Sequence, residues 1–336
     1  MNFPFYIGDG NQKQRTVPVQ LPVSQRAKQN DPRNYIADAG LVEASNVAML
    51  LGQPLLLTGE PGTGKTQFAN SLAWELGLDR PLQFDTKSTS TANDLFYTYD
   101  ALRRFQDAQS GITQPSALPY LTYRALGSAI LRTKPREEIA ELLPSTFEHN
   151  DPKRSVVLID EIDKAPRDFP NDILGELENM YFRIPELGNT VVEANPALAP
   201  IVIFTSNSER DLPDAFLRRC VYYHIPFPQG TVLANIVAGR LGLHADSSND
   251  FIQLALSLFY DLRNGGLQKK PATAELLGWM SAMTQLAPHV ENPIAHSPSL
   301  VEQTLVNLIK KADDRERAQR IVQEWLNQHQ LTVPSR

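Results

Sequence analysis

Residues 55–66 of the chain read LLLTGEPGTGKT, a short apolar run followed at once by a glycine-rich loop. The apolar run predicts a buried strand, and Phe68, Leu72 and Leu76 fall on one face of a predicted helix after the loop. The loop satisfies the pattern of glycine, four residues and then Gly-Lys-Ser/Thr, which is typical of phosphate-binding loops. This succession of strand, loop and helix predicts an α/β fold with a parallel sheet.

The loop has the chemistry needed to bind a nucleotide. Its glycines allow backbone amides to turn inward around a β-phosphate, and the helix that follows points its positive end at the same anion. We expect Lys65 to reach the β and γ oxygens of ATP and the Thr66 hydroxyl to coordinate Mg²⁺. The residues expected to bind the nucleotide are Gly59, Glu60, Pro61, Gly62, Thr63, Gly64, Lys65 and Thr66.

A second apolar run, Val156–Ile159, ends in two adjacent carboxylates, Asp160 and Glu161. Ligands of parallel sheets bind at the carboxyl ends of the strands, where neighbouring side chains leave in different directions. Asp160 is therefore expected in the outer shell of Mg²⁺, and Glu161 is expected to orient and deprotonate the water that attacks the γ-phosphate. Without the phosphate loop, the same pair would indicate only a solvated acidic turn.

A third apolar run, Ile201–Phe204, is followed by the polar triplet TSN. Its last residue, Asn207, could hydrogen-bond the γ-phosphate or the attacking water, although Ser-Asn after a strand usually forms a turn. Further along, Pro213 is expected to start a short helix that ends at Arg218 and Arg219. Arginines at a helix end can simply interact with the helix dipole, so that role stays open beside one in catalysis.

The composition is that of a globular protein. The 336 residues are 42% hydrophobic and 21% charged, and their number favours two domains. The net charge of −6, with basic residues at most in pairs, argues against a dedicated nucleic-acid surface. The chain has one cysteine, and it shows no signal-peptide pattern and no apolar stretch near the ~20 residues that span a membrane. These features predict a cytoplasmic protein without a membrane segment.

The chain is expected to divide into three parts. Residues 1–34 carry four prolines and predict an N-terminal arm. Residues 35–228 predict the α/β nucleotide-binding domain, in which the stretch Asp85–Arg154 is too long for a plain connection and must hold inserted elements, including two helical segments. Residues 229–336 predict a helical lid domain, with helices near residues 230–241, 250–263, 272–286, 298–311 and 313–329.

With its elements in this order, the chain resembles the AAA+ superfamily and, within it, the MoxR-type branch related to the dynein-like AAA ATPases. The resemblance covers residues 35–290 and rests on GEPGTGKT at 59, LIDEIDKAP at 158 and TSNSERDLPDAFLRRC at 205. The segment DLFYTYDAL at 94 is similar to the family's helix-2 insert, which in such proteins projects into the central channel of a ring. Residues 181–192 are similar to the hairpin that precedes the sensor-1 strand.

The resemblance implies a P-loop AAA+ parallel-sheet domain with a C-terminal all-helical lid, working as a ring, usually a hexamer. It assigns Asn207 to sensor 1 and Arg219 to the finger that enters the neighbouring subunit's site, with Arg218 as the second choice. The chain departs from the family at sensor 2, where Ala274 stands in place of an arginine. Either Lys269 or Lys270 substitutes for that arginine, or hydrolysis is slow.

Proteins of this kind convert ATP hydrolysis into force on a client protein, often one with a von Willebrand factor A domain. The resemblance therefore implies an ATP-driven chaperone or assembly factor. Two other classes of function are considered as alternatives. A nucleic-acid motor is disfavoured by the acidic balance and the lack of basic clustering, whereas a slow-turnover ATP-gated scaffold is favoured by the missing sensor-2 arginine.

Overall fold

The computed structural model describes residue 21 and residues 31–112, 116–207, 212–243 and 250–331. These residues divide into two compact units, one over Tyr35–Phe227 and one that joins the residues from Pro228 onward to those before Tyr35. Most of the expected N-terminal arm lies outside the described residues. The division into an arm, a nucleotide-binding domain and a lid domain stays a prediction.

The Tyr35–Phe227 unit is built around a parallel sheet. Its strands are β1 (Leu55–Thr58), β2 (Leu82–Asp85), β3 (Tyr97–Tyr99), β4 (Leu121–Tyr123), β5 (Val156–Asp160), β6 (Tyr181–Ile184), β7 (Thr190–Glu193), β8 (Ile201–Thr205) and β9 (Val221–His224). Five of them form the central sheet in the order β2-β5-β8-β1-β9, and every neighbouring pair is parallel. The α/β prediction is therefore confirmed.

Thirteen α-helices occur in the described residues: α1 (Ala39–Leu51), α2 (Lys65–Glu75), α3 (Ala101–Gln109), α4 (Ala125–Leu131), α5 (Phe169–Asp172), α6 (Leu174–Asn179), α7 (Asp214–Leu217), α8 (Gly230–Leu241), α9 (Asp250–Asn264), α10 (Thr273–Leu286), α11 (Pro293–His296), α12 (Ser299–Thr304) and α13 (Arg315–Gln328). None of the helices in this part of the chain is long and apolar enough to cross a membrane.

The central sheet has a core on each face. Leu56 of β1 belongs to one buried cluster, with Phe204 of β8 and Ile159 of β5. Leu55 and Leu57, which point to the other face, belong to a second cluster that includes Phe68 of α2. Burial on both faces explains why β1, β5 and β8 appear in the sequence as continuous apolar runs.

A long insertion separates β2 from β5. β3 and β4 pair antiparallel, with α3 in the connection between them, and α4 follows β4. The two predicted helical segments are confirmed, whereas the β3–β4 pair was not predicted. A Cβ on Gly127 of α4 would lie 2.1 Å from the Phe96 carbonyl oxygen, so only glycine permits this close packing.

The predicted hairpin over residues 181–192 is confirmed as the antiparallel pair β6–β7. A 3₁₀ turn over Pro185–Leu187 and Gly188, whose φ is 68°, form most of its connection. Glycine adopts this left-handed conformation without the steric cost of a Cβ.

The described residues from Pro228 onward form helices and no strand, as predicted. One predicted helix, over residues 298–311, is wrong in its length. α12 ends at Thr304, and residues 305–307 form a 3₁₀ helix. The Thr304 hydroxyl donates to the Leu300 carbonyl at 2.5 Å and accepts from Trp279 Nε1 at 2.9 Å. A threonine that bonds back to its own helix in this way often bends it.

Candidate functional site

The glycine-rich loop connects β1 to α2. Its three glycines, Gly59, Gly62 and Gly64, have φ values of 146°, 83° and 92°, a region that side chains with a Cβ rarely adopt. The Thr63 hydroxyl donates to the Glu60 carbonyl at 3.0 Å and so closes the turn. The shape of the loop therefore depends on its three glycines and on the hydrogen bond of the Thr63 side chain.

Lys65, the first residue of α2, folds back over the loop. Its Nζ donates to the carbonyl oxygens of Gly59 at 2.8 Å and Glu60 at 3.1 Å, and the residue is 7% exposed. The ammonium is thus held on the loop, where the positive end of α2 also attracts anions.

Thr66 and Asp160 come together although 94 positions separate them. The Thr66 hydroxyl lies 3.1 Å from Asp160 Oδ2 and 3.3 Å from Oδ1. The Thr205 hydroxyl, at the end of β8, also donates to Asp160 Oδ1 and accepts from the Glu161 amide at 2.8 Å. One carboxylate therefore joins α2, β5 and β8.

Glu161 leaves the end of β5 in the left-handed region, with a φ of 56°. Its Oε1 accepts from Asn207 Nδ2 at 3.3 Å, and its Oε2 forms an ion pair with Lys164. The backbone nitrogen of Asn207 lies 3.4 Å from Asp163 Oδ1, and Asp163 is 5% exposed. The structure thus brings Glu161 and Asn207 into contact at adjacent strand ends.

Sequence reasoning missed three residues that hold this arrangement. Thr205, Asp163 and Lys164 each contact a predicted site residue or its backbone. Thr205 ends a buried strand with a hydroxyl, and the other two stand inside the stretch LIDEIDKAP. The available signal was proximity in the sequence, of Asp163 and Lys164 to the predicted carboxylates and of Thr205 to Asn207.

The site has the oxygen ligands that suit Mg²⁺. The Thr66 hydroxyl and the Asp160 carboxylate face each other, and Mg²⁺ is usually bound through one or two carboxylates together with substrate phosphates. The described residues contain no group of three or more His, Cys, Asp or Glu side chains placed to hold a metal by themselves. The arrangement therefore fits a metal that is bound together with a nucleotide.

Arg219, the second of the two arginines after α7, bonds to residues outside this group. Arg219 Nε forms an ion pair with Glu178 of α6, and its Nη1 donates to the Ala215 carbonyl at 2.9 Å. Among the described residues, neither Arg218 nor Arg219 forms a hydrogen bond or ion pair with the loop or with the two carboxylates.

Burial raises the pKa of the adjacent Cys220 thiol to about 12, so that this thiol stays protonated at neutral pH.

This chain is similar to a known protein over most of its length and to a family model over residues 54–220. YehL, an uncharacterized protein of Escherichia coli (strain K12), is 22% identical over 322 residues, which cover 90% of this chain and 81% of YehL. Residues 54–220 match the family model of the AAA domain, dynein-related subfamily. That range begins just before β1, ends just after Arg219 and contains every predicted site residue. Residues 54–220 therefore resemble an AAA domain in sequence, and the parallel sheet of this unit followed by helices has the architecture of an AAA+ fold with a helical lid.

Proposed function

We propose that this chain is a MoxR-type AAA+ ATPase that hydrolyses Mg-ATP to remodel or assemble a client protein, working in the cytoplasm as a ring oligomer. The observation that carries the proposal is the contact between residues from three separate motifs: Thr66 with Asp160, and Glu161 with Asn207. A structural turn would not require these four polar groups to meet between the start of α2 and the ends of two neighbouring strands.

The loop would bind the triphosphate. Residues 59–66 form a concave backbone whose amides and helix N-terminus suit anionic oxygens. Lys65 would exchange its carbonyl acceptors for the β and γ oxygens. Thr66 and Asp160 would hold Mg²⁺, which neutralises charge on the phosphates when it is bound.

Glu161 would act as the general base. The oxygen of a water molecule bonds to the γ-phosphorus, the bond from that phosphorus to the bridging oxygen breaks, and ADP leaves with the electron pair. Glu161 takes the proton that the water loses. Asn207, which already contacts this carboxylate, would orient the same water or the γ-phosphate.

A ring gives the finger arginine its role, since the hydrogen bonds of Arg219 within the described residues go to Glu178 and Ala215 and to no residue of the loop. Arg219, or else Arg218, would enter the site of a neighbouring subunit. The client would be a protein, with one carrying a von Willebrand factor A domain as our first candidate. The net charge of −6 disfavours nucleic acid as the partner.

A slow-turnover, ATP-gated scaffold is the second candidate. It is favoured by Ala274, which lies exposed in α10 where the resemblance expects the sensor-2 arginine. Lys269 and Lys270 are exposed nearby in the sequence and are the candidate substitutes.

The test combines binding with turnover. Saturating Mg-ATP should raise the melting temperature, because a ligand that binds only the folded state stabilises it by ~2.7 kcal/mol at a hundredfold excess over its Kd. Lys65→Ala should abolish this shift, whereas Glu161→Gln should keep it and lose hydrolysis. A wild-type protein that shows no shift would refute ATP binding. Binding with negligible turnover would favour the scaffold, and stimulation by DNA would favour a nucleic-acid motor.

A further inference from the structure

Lys164 stands three residues after Glu161, at the end of a 3₁₀ turn over Ile162–Lys164. Its ammonium pairs with Glu161 Oε2, while Asn207 holds the other oxygen, Oε1. We propose, building on the proposed role of Glu161 as general base, that Lys164 is a positioning residue for ATP hydrolysis, which fixes the direction in which the Glu161 carboxylate faces the attacking water.

The two donors approach the carboxylate from different elements. Lys164 belongs to the turn after β5, and Asn207 follows β8. The Glu161 backbone is fixed as well, because its amide donates to the Thr205 hydroxyl at 2.8 Å. With one donor on each oxygen, rotation of the carboxylate is restricted. Each carboxylate oxygen has about two acceptor positions, so one on each remains for a water.

The Lys164–Glu161 pair does little for stability of the fold. The two side chains are 53% and 39% exposed, and ion pairs with that much solvent contact contribute little to folding. If Lys164 positions Glu161, its removal should lower turnover. Because the ion pair contributes little to folding, the melting temperature should stay nearly unchanged.

Lys153 provides a matched control. Its Nζ lies 2.6 Å from Asp79 Oδ2, with side chains that are 45% and 57% exposed. Lys153 precedes β5, whereas Glu161 follows it, so the control pair belongs to the opposite end of that strand. The two lysines have similar exposure and each pairs with a carboxylate, but only for Lys164 is that carboxylate the proposed base.

The experiment measures kcat, KM for ATP and melting temperature for Lys164→Met, Lys164→Arg and Lys153→Met. A misplaced catalytic group can lower a rate by about 10- to 100-fold, so we expect Lys164→Met to lose kcat in that range with KM unchanged. Lys164→Arg, which can still donate to Oε2, should recover most of the rate. Lys153→Met should behave as the wild type.

A double variant tests whether Lys164 acts through Glu161. Adding Lys164→Met to Glu161→Gln should leave the residual single-turnover rate unchanged, because the base it positions is already gone. The proposal is overturned if Lys164→Met keeps or exceeds the wild-type kcat, if Lys153→Met loses as much, or if the loss persists in the Glu161→Gln background.

These outcomes are separate from failure of the proposed function. If Glu161→Gln hydrolyses ATP at the wild-type rate, Glu161 is not the base, whatever Lys164→Met does. If Glu161→Gln is inactive and Lys164→Met is normal, the base is correct and only the role of Lys164 is refuted.

Discussion

Gly59 must be glycine for two independent reasons. Its φ of 146° lies where residues with a Cβ are rarely found. A Cβ at this position would also lie 2.6 Å from the Ile225 carbonyl oxygen and 3.2 Å from the Thr63 hydroxyl. The first of these neighbours is backbone and cannot rotate away. Gly59 therefore serves the structure of the loop as well as its anion-binding surface.

Gly59→Ala should consequently destabilise the protein as well as weaken ATP binding. Backbone strain of this kind costs about 1–3 kcal/mol, and the contact with Ile225 adds to it. Chemical denaturation and the melting-temperature shift with Mg-ATP would measure the two effects.

Gly239 of α8 is the control for this substitution. Its φ lies outside the left-handed region, and a Cβ there would meet no atom within 4 Å beyond its own stretch of helix backbone. Alanine at this position should therefore stabilise the protein by roughly 0.5–1 kcal/mol. Equal stability of Gly59→Ala and wild type would contradict the steric account.

At the scale of elements, the ion pair between Glu178 and Arg219 joins α6 to the segment that follows α7. Arg219 uses Nε for Glu178 and Nη1 for the Ala215 carbonyl. Its Nη2 has no hydrogen-bond acceptor among the described residues. The guanidinium is thus oriented by its own chain while one nitrogen stays available to another partner.

Glu178→Ala should therefore reduce ATP hydrolysis and leave ATP binding intact, because Arg219 loses its orientation. A finger arginine contributes ~10³ to 10⁵ in rate where such fingers have been measured, and Glu178→Ala should lose part of that factor. Turnover and nucleotide affinity would be measured beside Glu176→Ala, a glutamate of the same helix that forms no ion pair with the described residues. If the two variants have the same turnover, Glu178 does not orient a finger.

The elements also show what the sequence could predict. The interior strands β1, β5 and β8 were predicted because burial on both faces leaves an unbroken apolar run. The edge strands β2 and β9 alternate half-buried and exposed residues and include polar side chains, so their short stretches carry too little pattern. The end of α12 could not be predicted, since Thr304 meets Trp279 only in the folded protein.

At the scale of the whole molecule, the proposed role of Arg219 requires a second copy of the chain. The loop, the two carboxylates and Asn207 lie together in one subunit, whereas Arg219 bonds to Glu178 and Ala215. The contiguous motifs made the first group predictable from sequence. Glu178 and Arg219 are 41 positions apart in the sequence, so their pairing could be recognised only in the folded structure.

Mixing two inactive variants tests that assembly. Arg219→Ala subunits keep a competent Glu161, and Glu161→Gln subunits keep a competent finger. Each variant alone should bind ATP and hydrolyse it poorly, whereas the mixture should recover activity at interfaces that combine the intact halves. ATPase rates across mixing ratios, with native mass spectrometry to verify mixed oligomers, would measure the recovery.

A mixture that stays inactive although mixed oligomers form would show that Arg219 only caps α7. The same test with Arg218→Ala would then decide whether the other arginine is the finger.

Asp160 forms a structural contact and has a proposed role in binding Mg²⁺, and together these restrict which amino acids can occupy the position. Its oxygens accept from the hydroxyls of Thr66 and Thr205 and so tie three elements together. Asparagine has a similar shape but no negative charge for a cation, and glutamate has the charge but a longer reach that would displace both hydroxyls. Aspartate alone satisfies both demands, so a variant that removes both oxygens, such as Asp160→Ala, should loosen the contacts among α2, β5 and β8 even before any metal is added.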